Sequence, residues 1–324
     1  IFQNQFNPLF IDEVHKILAE QKGFFPTSID SEIEKSIMDY CKTGKRIRPF
    51  LIYFFSEKNI ENKELLQIAL ASELFHLAAL LQDDVIDKSL LRRNVPTLNA
   101  VGSKLAIHNK DLGDHMGILL GDVFLTASVE KAAELSRPVF KEFIIMIQRT
   151  IRGQYLDALG TNEEYGSSSA ESVFARNDLK TAWYTFSSPA RIGYMLNNNF
   201  SSEKLSIVTK ITREIGLLFQ IRDDIIDCID ENSGKPLFGD IFENQTTWVT
   251  LHIKEYYPNK YKEIIDLKKE FNRKKLKKIF NEIDLVTPYE KEFNKVKRVI
   301  NQINNNYPDI KEKSQEILGL LTLK

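Results

Sequence analysis

Two short aspartate-rich segments have the spacing that most clearly indicates chemistry in this chain. They are residues 83–87, Asp-Asp-Val-Ile-Asp, and residues 223–227, Asp-Asp-Ile-Ile-Asp. The first and last aspartates of each segment are four positions apart, which places both on one helix face where they can bind the same cation. Carboxylate oxygens suit Mg²⁺, which keeps several waters and completes its shell with substrate phosphate oxygens.

A single segment of this kind is more often an exposed helix end with solvated charges. Two copies, each after an apolar stretch, favour carboxylates that face each other across a helical bundle and hold several Mg²⁺ ions around a pyrophosphate. Zinc is disfavoured because the chain has only five His and two Cys.

Basic residues complement the carboxylates in two places, at residues 44–49 (Gly-Lys-Arg-Ile-Arg-Pro) and at Arg92-Arg93. Arginine side chains pair bidentately with phosphate oxygens. The alternative for each cluster is a surface ion pair with nearby acids, which contributes little to stability. Together, the acidic and basic clusters predict a site that binds one phosphorylated substrate through metal and another through side chains alone.

Apolar residues recur every three or four positions over residues 65–80 and 207–226, which predicts a helix leading into each aspartate segment. Ser168, with Glu171 three positions later, is typical of a capping box and predicts the start of a helix that continues through Trp183. Strand signals are weak, and the 14 Gly and 10 Pro are few for 324 residues. We therefore predict an all-α fold.

Charge and cysteine content argue against several classes of protein. Lys and Arg total 44 against 45 Asp and Glu. The chain therefore lacks the surplus of basic residues that would indicate nucleic-acid binding. Cys41 and Cys228 predict neither a disulfide framework nor a thiolate zinc site. Uninterrupted apolar runs such as residues 143–147 are far shorter than the roughly 20 residues that span a bilayer. We expect a cytoplasmic protein without a transmembrane segment, and the start at Ile1 leaves open whether a targeting segment was removed.

The motifs, in this order and spacing, resemble those of the all-trans isoprenyl diphosphate synthases, or polyprenyl synthetases, and of the geranylgeranyl type in particular. The matching segments are residues 44–49, 81–97, 121–122 (Gly-Asp), 153–157 (Gly-Gln-Tyr-Leu-Asp), 180–182 (Lys-Thr-Ala), 219–227, 234–236 (Gly-Lys-Pro) and Asp240. The resemblance is strongest over residues 44–250. It implies the isoprenoid synthase fold, a single all-α domain over residues 1–324 with long helices around a deep central cavity, and a homodimer.

The resemblance also implies roles for individual residues. Three Mg²⁺ ions would be bound mainly by Asp83, Asp87 and Asp223, with Asp84 and Asp227 in support. Isopentenyl diphosphate would be bound by Lys45, Arg48, His76 and Arg93, and the allylic diphosphate by Arg92, Lys180, Thr181, Gln220 and Lys235. The catalytic set would be Asp83, Asp84, Asp87, Arg92, Lys180, Asp223 and Lys235. A lone histidine on an apolar helix face, such as His76, is otherwise more often a core residue.

The chemistry that the family implies is ionisation of an allylic diphosphate, attack by isopentenyl diphosphate and loss of a proton. The allylic partner would be dimethylallyl, geranyl or farnesyl diphosphate. Two residues depart from the family pattern. Gln245 stands where a second lysine is usual, which removes one positive contact, and Gln82 stands where histidine is frequent.

Product length depends, in this family, on side chains before the first aspartate segment. Ala78 and Ala79 are small, so a farnesyl-type stop there is disfavoured. Phe75 lies one turn deeper, about 5.4 Å, or close to one isoprene unit, and predicts a C20 product, geranylgeranyl diphosphate. The alternative is that Phe75 points into the core and the product is a longer polyprenyl diphosphate.

Two other functions stay open at this point. A class I terpene cyclase also ionises a diphosphate with an aspartate-rich helix, but it needs no second substrate site, and the basic residues Lys45, Arg48 and Arg93 argue against it. A catalytically silent partner subunit is favoured only by Gln245, since both aspartate segments are intact.

Overall fold

Helices make up nearly all of the secondary structure in the residues that the computed structural model describes, so the predicted all-α fold is confirmed. The described residues are 2–21, 27–92, 94–106, 108–231, 237–303 and 306–323, without the side chains of residues 27–29. The chain divides into unit 1, Ile1–Ile144 with Ile192–Asn199, and unit 2, Ile145–Arg191 with Phe200–Lys324. The single domain predicted over residues 1–324 stays a prediction.

Unit 1 carries the first aspartate segment and the first basic cluster. Its elements are α1 (Phe2–Glu20), α2 (Thr27–Lys42), α3 (Ile47–Phe55), α4 (Lys63–Ile86), the antiparallel strands β1 (Leu91–Arg92) and β2 (Val95–Pro96), α5 (Leu98–Leu105) and α6 (Leu112–Ala133). Helices α7 (Arg137–Thr161) and α9 (Ser188–Met195) contribute residues to both units. In α1, buried apolar residues recur every three or four positions, so one face of that helix joins the core of unit 1.

The predicted helix that leads into the first aspartate segment is α4, and α6 packs against it. Asn62 caps the start of α4 by accepting a hydrogen bond from the backbone N–H of Leu65 at 3.1 Å. Two glycines of α6 face the last turns of α4. A Cβ at Gly117 would lie 2.5 Å from Cγ2 of Val85, and a Cβ at Gly121 would lie 2.7 Å from Cγ of Gln82. This close approach holds the end of α4, where the aspartates lie.

Helices α4 and α6 are also long and apolar enough to cross a membrane, judged by length and composition alone. A search for uninterrupted apolar runs does not find these two helices, because isolated polar residues interrupt both of them. The most apolar stretch of α4 is 67% buried inside the protein and that of α6 is 39% buried. A core helix meets the same two criteria, so these helices are weak evidence for a membrane span.

Unit 2 is built around α10 (Ser202–Ile229), the helix predicted to lead into the second aspartate segment. Helix α10 packs against a π-helix (Asp178–Ser187) that follows α8 (Ala170–Asn177). The remaining helices are α11 (Gly239–Phe242), α12 (Trp248–Tyr256), α13 (Pro258–Lys269), α14 (Arg273–Phe280), α15 (Val286–Asn301) and α16 (Pro308–Gly319). Helix α14 is amphipathic and buries Leu276, Ile279 and Phe280.

The predicted start of α8 is wrong by one residue. Ser169, rather than Ser168, is the N-cap and accepts from the backbone N–H of Ser172 at 3.2 Å. The hydroxyl of Ser168 instead donates to Oε2 of Glu163 at 2.5 Å, a contact that the capping pattern does not include. After α8 the helix widens into the π-helix. This form is rare in proteins overall, and where it occurs it is often at a functional site.

Candidate active site

The three aspartates of the first segment lie at the end of α4 and are not equivalent. The side chain of Asp83 is 21% exposed and that of Asp84 is 1% exposed. Asp87 is exposed and is the C-cap residue of α4. The helix dipole adds negative potential at the C-terminal end of α4, so these carboxylates stand where a cation is favoured.

Asp84 is held by protein partners on both of its oxygens. Arg92 donates from Nε to Oδ1 at 2.8 Å, and the hydroxyl of Tyr40 donates to Oδ2. The backbone N–H of Leu98 donates to the Tyr40 oxygen at 3.3 Å. Burial, with the nearby Asp84 charge, raises the pKa of the Tyr40 phenol well above its ordinary value, so the proton stays on Tyr40. No sequence signal pointed to Tyr40, which lies 44 positions before Asp84.

The Arg92 side chain also reaches the neighbouring aspartate, with Nη2 3.1 Å from Oδ2 of Asp83. It belongs to β1, which pairs with β2 in the short turn after α4. Asn94 takes the left-handed conformation that this turn requires, with φ of 64°. Arg93, the next residue and a predicted ligand of isopentenyl diphosphate, lies outside the described residues.

The first basic cluster separates into buried and accessible residues. Arg46 is buried at the start of α3, with φ of 54°, and donates from Nη1 to Oε1 of Glu73 at 2.7 Å. Lys45 on one side of it is exposed, and Arg48 on the other side is half-buried. Arg46, which the sequence analysis did not single out, therefore anchors the cluster and leaves its neighbours accessible. His76 is half-buried and lines a small cleft together with Arg46 and Glu73.

In the second segment the middle aspartate is again the buried one. Asp224 is 3% exposed and accepts from Nε2 of Gln220 at 2.7 Å and from the backbone N–H of Trp248 at 3.1 Å. Asp223 is exposed. Asp227 is half-buried and accepts from the backbone N–H of Gly239 at 3.2 Å, at the start of α11.

Negative charge accumulates around this segment. Burial, opposed by hydrogen bonds and reinforced by the charge of Asp223, raises the pKa of Asp224 to about 7. Burial first, and then the charges of Asp227 and Asp224, raise the pKa of Asp240 well above its ordinary value. A cation bound near these carboxyl groups would favour their ionised forms, against both burial and the repulsion of the neighbouring carboxylates.

The donor set of both segments fits Mg²⁺, since every candidate ligand is a carboxylate oxygen. Among the described residues, no group of three or more His, Cys, Asp or Glu side chains is placed to hold an ion by itself. Mg²⁺ does not require such a cage, because it is bound by one or two carboxylates together with waters and substrate phosphates.

Predicted diphosphate-binding residues of unit 2 lie on the π-helix and on α10. Thr181 donates from Oγ1 to Oε1 of Gln220 at 2.5 Å, and Gln220 in turn donates to Asp224. Lys180 is ion-paired with Asp157. Gly153 lies against the π-helix, and a Cβ there would be 2.6 Å from the backbone nitrogen of Lys180. Lys235 lies outside the described residues.

The residues predicted to set product length lie on α4. Phe75 is buried and packs edge to face against Phe143, with ring centroids 6.4 Å apart and an interplanar angle of 80°. Ala78 is buried and Ala79 is half-buried. Phe75 therefore has an aromatic partner in unit 1.

Comparison with known proteins gives a consistent family. The model of the family described as polyprenyl synthetase matches residues 30–283. The chain is 28% identical over 222 residues to a prenyl transferase from Synechocystis sp., a match that covers 66% of this chain and 64% of that protein. It is 31% identical over 251 residues to a farnesyl diphosphate synthase from Buchnera aphidicola, covering 71% of this chain and 80% of that protein.

The fold is shared with solved structures. A geranylgeranyl pyrophosphate synthase from Corynebacterium glutamicum, solved with isoprenyl diphosphate and magnesium, is similar with a TM-score of 0.78. The two chains are 20% identical, and the similarity covers 98% of each. The predicted isoprenoid synthase fold is thereby confirmed.

Proposed function

Because the chain belongs to the polyprenyl synthetase family, we propose that it is a Mg²⁺-dependent prenyltransferase that joins isopentenyl diphosphate to an allylic diphosphate. The product is an all-trans polyprenyl diphosphate. The observation that carries this proposal is the repeated arrangement at the ends of α4 and α10. In both segments the middle aspartate, Asp84 or Asp224, is buried and bonded to the protein, while an exposed carboxylate, Asp87 or Asp223, stands beside it.

In this proposal Asp83, Asp87 and Asp223 would hold Mg²⁺, with Asp84 and Asp227 supporting them, and each site would take three ions. When bound, Mg²⁺ would supply positive charge that offsets the negative charge of the departing pyrophosphate. The allylic carbon–oxygen bond breaks and the pyrophosphate keeps the electron pair. The double bond of isopentenyl diphosphate then attacks the allylic cation, and the new cation loses a proton to the released pyrophosphate.

The basic and polar side chains orient the two substrates. Arg92, Lys180, Thr181, Gln220 and Lys235 bind the diphosphate of the allylic substrate, and Lys45, Arg48, His76 and Arg93 bind isopentenyl diphosphate. The cations of the allylic set, Arg92, Lys180 and Lys235, stabilise the negative charge that develops on the leaving diphosphate. No nucleophilic side chain is required for this chemistry.

The finer proposal is that the product is geranylgeranyl diphosphate, formed in the cytoplasm by a homodimer. Phe75, Ala78 and Ala79 support the product length: the growing chain would run along a tunnel past the two small alanines, and Phe75, one turn deeper on α4, would be the floor that stops it. The similar Corynebacterium glutamicum structure is of a geranylgeranyl pyrophosphate synthase, which is consistent with C20. A product longer than C20 is the alternative if the tunnel continues past Phe75.

Product analysis tests the proposal. The protein is incubated with Mg²⁺, labelled isopentenyl diphosphate and, separately, dimethylallyl, geranyl or farnesyl diphosphate, and the products are sized. A series of linear products ending at C20 is expected. Linear products longer than C20 would support the proposed reaction but reject Phe75 as the floor. Cyclic hydrocarbon would instead indicate a terpene cyclase, and no turnover with any starter would indicate a silent partner subunit.

A further inference from the structure

A second cluster of polar and charged side chains lies in unit 2. It consists of Asp157 on α7, Arg176 on α8, Lys180 on the π-helix and Gln245 after α11. The side chains of Arg176 and Asp157 are 8% and 14% exposed, whereas that of Lys180 is 31% exposed. Lys180 is therefore the cation of this cluster that a solvent-borne anion can reach most readily.

The carboxylate of Asp157 is shared by all three neighbours. Lys180 pairs with Oδ2, while Nε of Arg176 lies 3.3 Å from Oδ1 and Nε2 of Gln245 donates to Oδ1 at 2.8 Å. Arg176 also donates from Nη1 to Oε1 of Gln245 at 2.7 Å and from Nη2 to the carbonyl of Thr246 at 2.8 Å. Each polar end of Gln245 thus has a partner within the cluster.

Asp157 faces two cations, so it keeps a cationic partner when Lys180 turns to another anion. A buried carboxylate left without a cation is costly, because desolvation is then uncompensated. Arg176 lowers the cost of releasing Lys180 from Asp157.

We infer that Arg176 is a positioning residue that neutralises Asp157 and thereby frees Lys180 to bind a diphosphate. This inference rests on the proposed function, in which Lys180 binds the allylic diphosphate. It also accounts for Gln245, which stands where the family resemblance expects a lysine. A lysine at 245 would place a third cation beside one carboxylate, whereas the neutral amide accepts from Arg176 and donates to Asp157. The positive charge is thus supplied from position 176 instead of 245.

Pyrophosphate binding in the presence of Mg²⁺, measured by titration calorimetry, tests the inference without requiring turnover. Arg176→Gln is expected to weaken binding about tenfold, because Asp157 then retains Lys180. Arg176→Gln combined with Gln245→Lys restores a cation beside Asp157, and binding is expected to return to within about threefold of wild type. Arg213→Gln is the matched control, since Arg213 pairs with Asp178 at 2.9 Å at an exposed position.

A variant of Asp157 separates this role from a purely structural one. In an Asp157→Asn background the competitor for Lys180 is gone, so adding Arg176→Gln is expected to change pyrophosphate affinity less than threefold. The Asp157→Asn, Arg176→Gln double variant still allows the test if Arg176→Gln alone does not fold, because the double variant has no carboxylate at 157 that would lack its arginine partner. A loss of tenfold or more in that background overturns the inference. Equal affinities of wild type and Arg176→Gln overturn it as well, and so does an absence of pyrophosphate binding by wild type.

Steady-state kinetics give the corresponding result during turnover. Arg176→Gln is expected to raise KM for geranyl diphosphate about tenfold and to leave KM for isopentenyl diphosphate unchanged. An equal rise in both KM values would contradict a role specific to Lys180. If wild type binds pyrophosphate with this mutational pattern but transfers no prenyl group, the positioning role stands and the proposed function fails.

Discussion

Arg92 donates from Nε to Oδ1 of Asp84 at 2.8 Å, so the middle carboxylate of the first aspartate segment already has a cationic partner in the protein. Tyr40 donates to the other oxygen of the same carboxylate. Asp224 in the second segment is likewise bonded, to Gln220 and Trp248. Each segment therefore has a buried inner aspartate that holds the local structure, and the exposed aspartates near it, Asp87 and Asp223, are among the metal ligands of the proposed function.

This division predicts different effects for Asp84 and Asp87. Asp84→Ala should lower the free energy of unfolding by about 3 kcal/mol, because it leaves the Arg92 charge and the Tyr40 hydroxyl without their shared acceptor. Asp87→Asn should change stability by less than about 0.5 kcal/mol, since the side chain is exposed. Urea denaturation of both variants measures this difference. Equal stabilities would contradict the structural role of Asp84.

Gly153 should be sensitive to the addition of a single methyl group. A Cβ there would lie 2.6 Å from the backbone nitrogen and 2.8 Å from the Cα of Lys180, and backbone atoms cannot move aside as a side chain can. Gly153→Ala should cost about 1–3 kcal/mol of stability and displace Lys180.

Gly319→Ala is the control for that substitution, because nothing lies within 4 Å of a Cβ at this helical position. It should be neutral or stabilising, since alanine favours helix over glycine. Thermal unfolding compares the two variants. A Gly153→Ala protein as stable as wild type would show that α7 and the π-helix are not so closely packed.

Tyr165 should make stability depend on pH in the alkaline range. Its hydroxyl contacts Oγ1 of Thr250 at 3.0 Å, and burial raises its pKa well above the ordinary value. The unfolded chain therefore loses this proton near pH 10 while the folded chain retains it. The contribution is fully present below about pH 10 and is lost as the pH rises further.

Urea unfolding at pH 9 and pH 11 measures this effect. The decrease in free energy of unfolding between the two values should be smaller in Tyr165→Phe than in wild type. The phenylalanine variant also loses the contact with Thr250, so the comparison is between pH slopes and not between absolute stabilities. Identical slopes would show that Tyr165 ionises equally easily in both states.

Product length should respond in opposite directions to two substitutions on α4. Phe75→Ala removes the proposed floor and should give linear products longer than C20. Ala79→Phe adds an aromatic ring one turn nearer to Asp83 and should give shorter products. Sizing the labelled products of both variants checks this expectation. A product of unchanged length from Phe75→Ala would reject Phe75 as the floor.

The helices that carry the chemistry could be predicted from sequence because their signals are local. The apolar spacing over residues 65–80 and 207–226 placed α4 and α10 correctly, each with its aspartates at the C-terminal end. The choice between Ser168 and Ser169 as helix cap could not be made from the pattern. Either hydroxyl could serve, and the contact of Ser168 with Glu163 decides which one remains available.

Contacts between residues far apart in the sequence decided the rest of the candidate site. Nothing in the segment 83–87 distinguishes Asp84 from its neighbours until Tyr40 and Arg92 are brought to it by the fold. Gln245 departs from the family pattern, but its partner Arg176 lies 69 positions earlier on an ordinary helix. Sequence therefore predicts which residue types act here, and the fold shows which contacts Asp84, Arg92 and Gln245 make within the protein.

The most direct test of the central claim is the rate at which labelled isopentenyl diphosphate is incorporated with geranyl diphosphate and Mg²⁺. Wild type, Asp87→Asn and Asp223→Asn are compared at equal protein concentration. Wild type should form linear prenyl diphosphate, and each variant should be slower by about 100-fold or more, because in the proposed function both exposed carboxylates bind the metal that the leaving group needs. No incorporation by wild type, or variants as fast as wild type, would contradict the account.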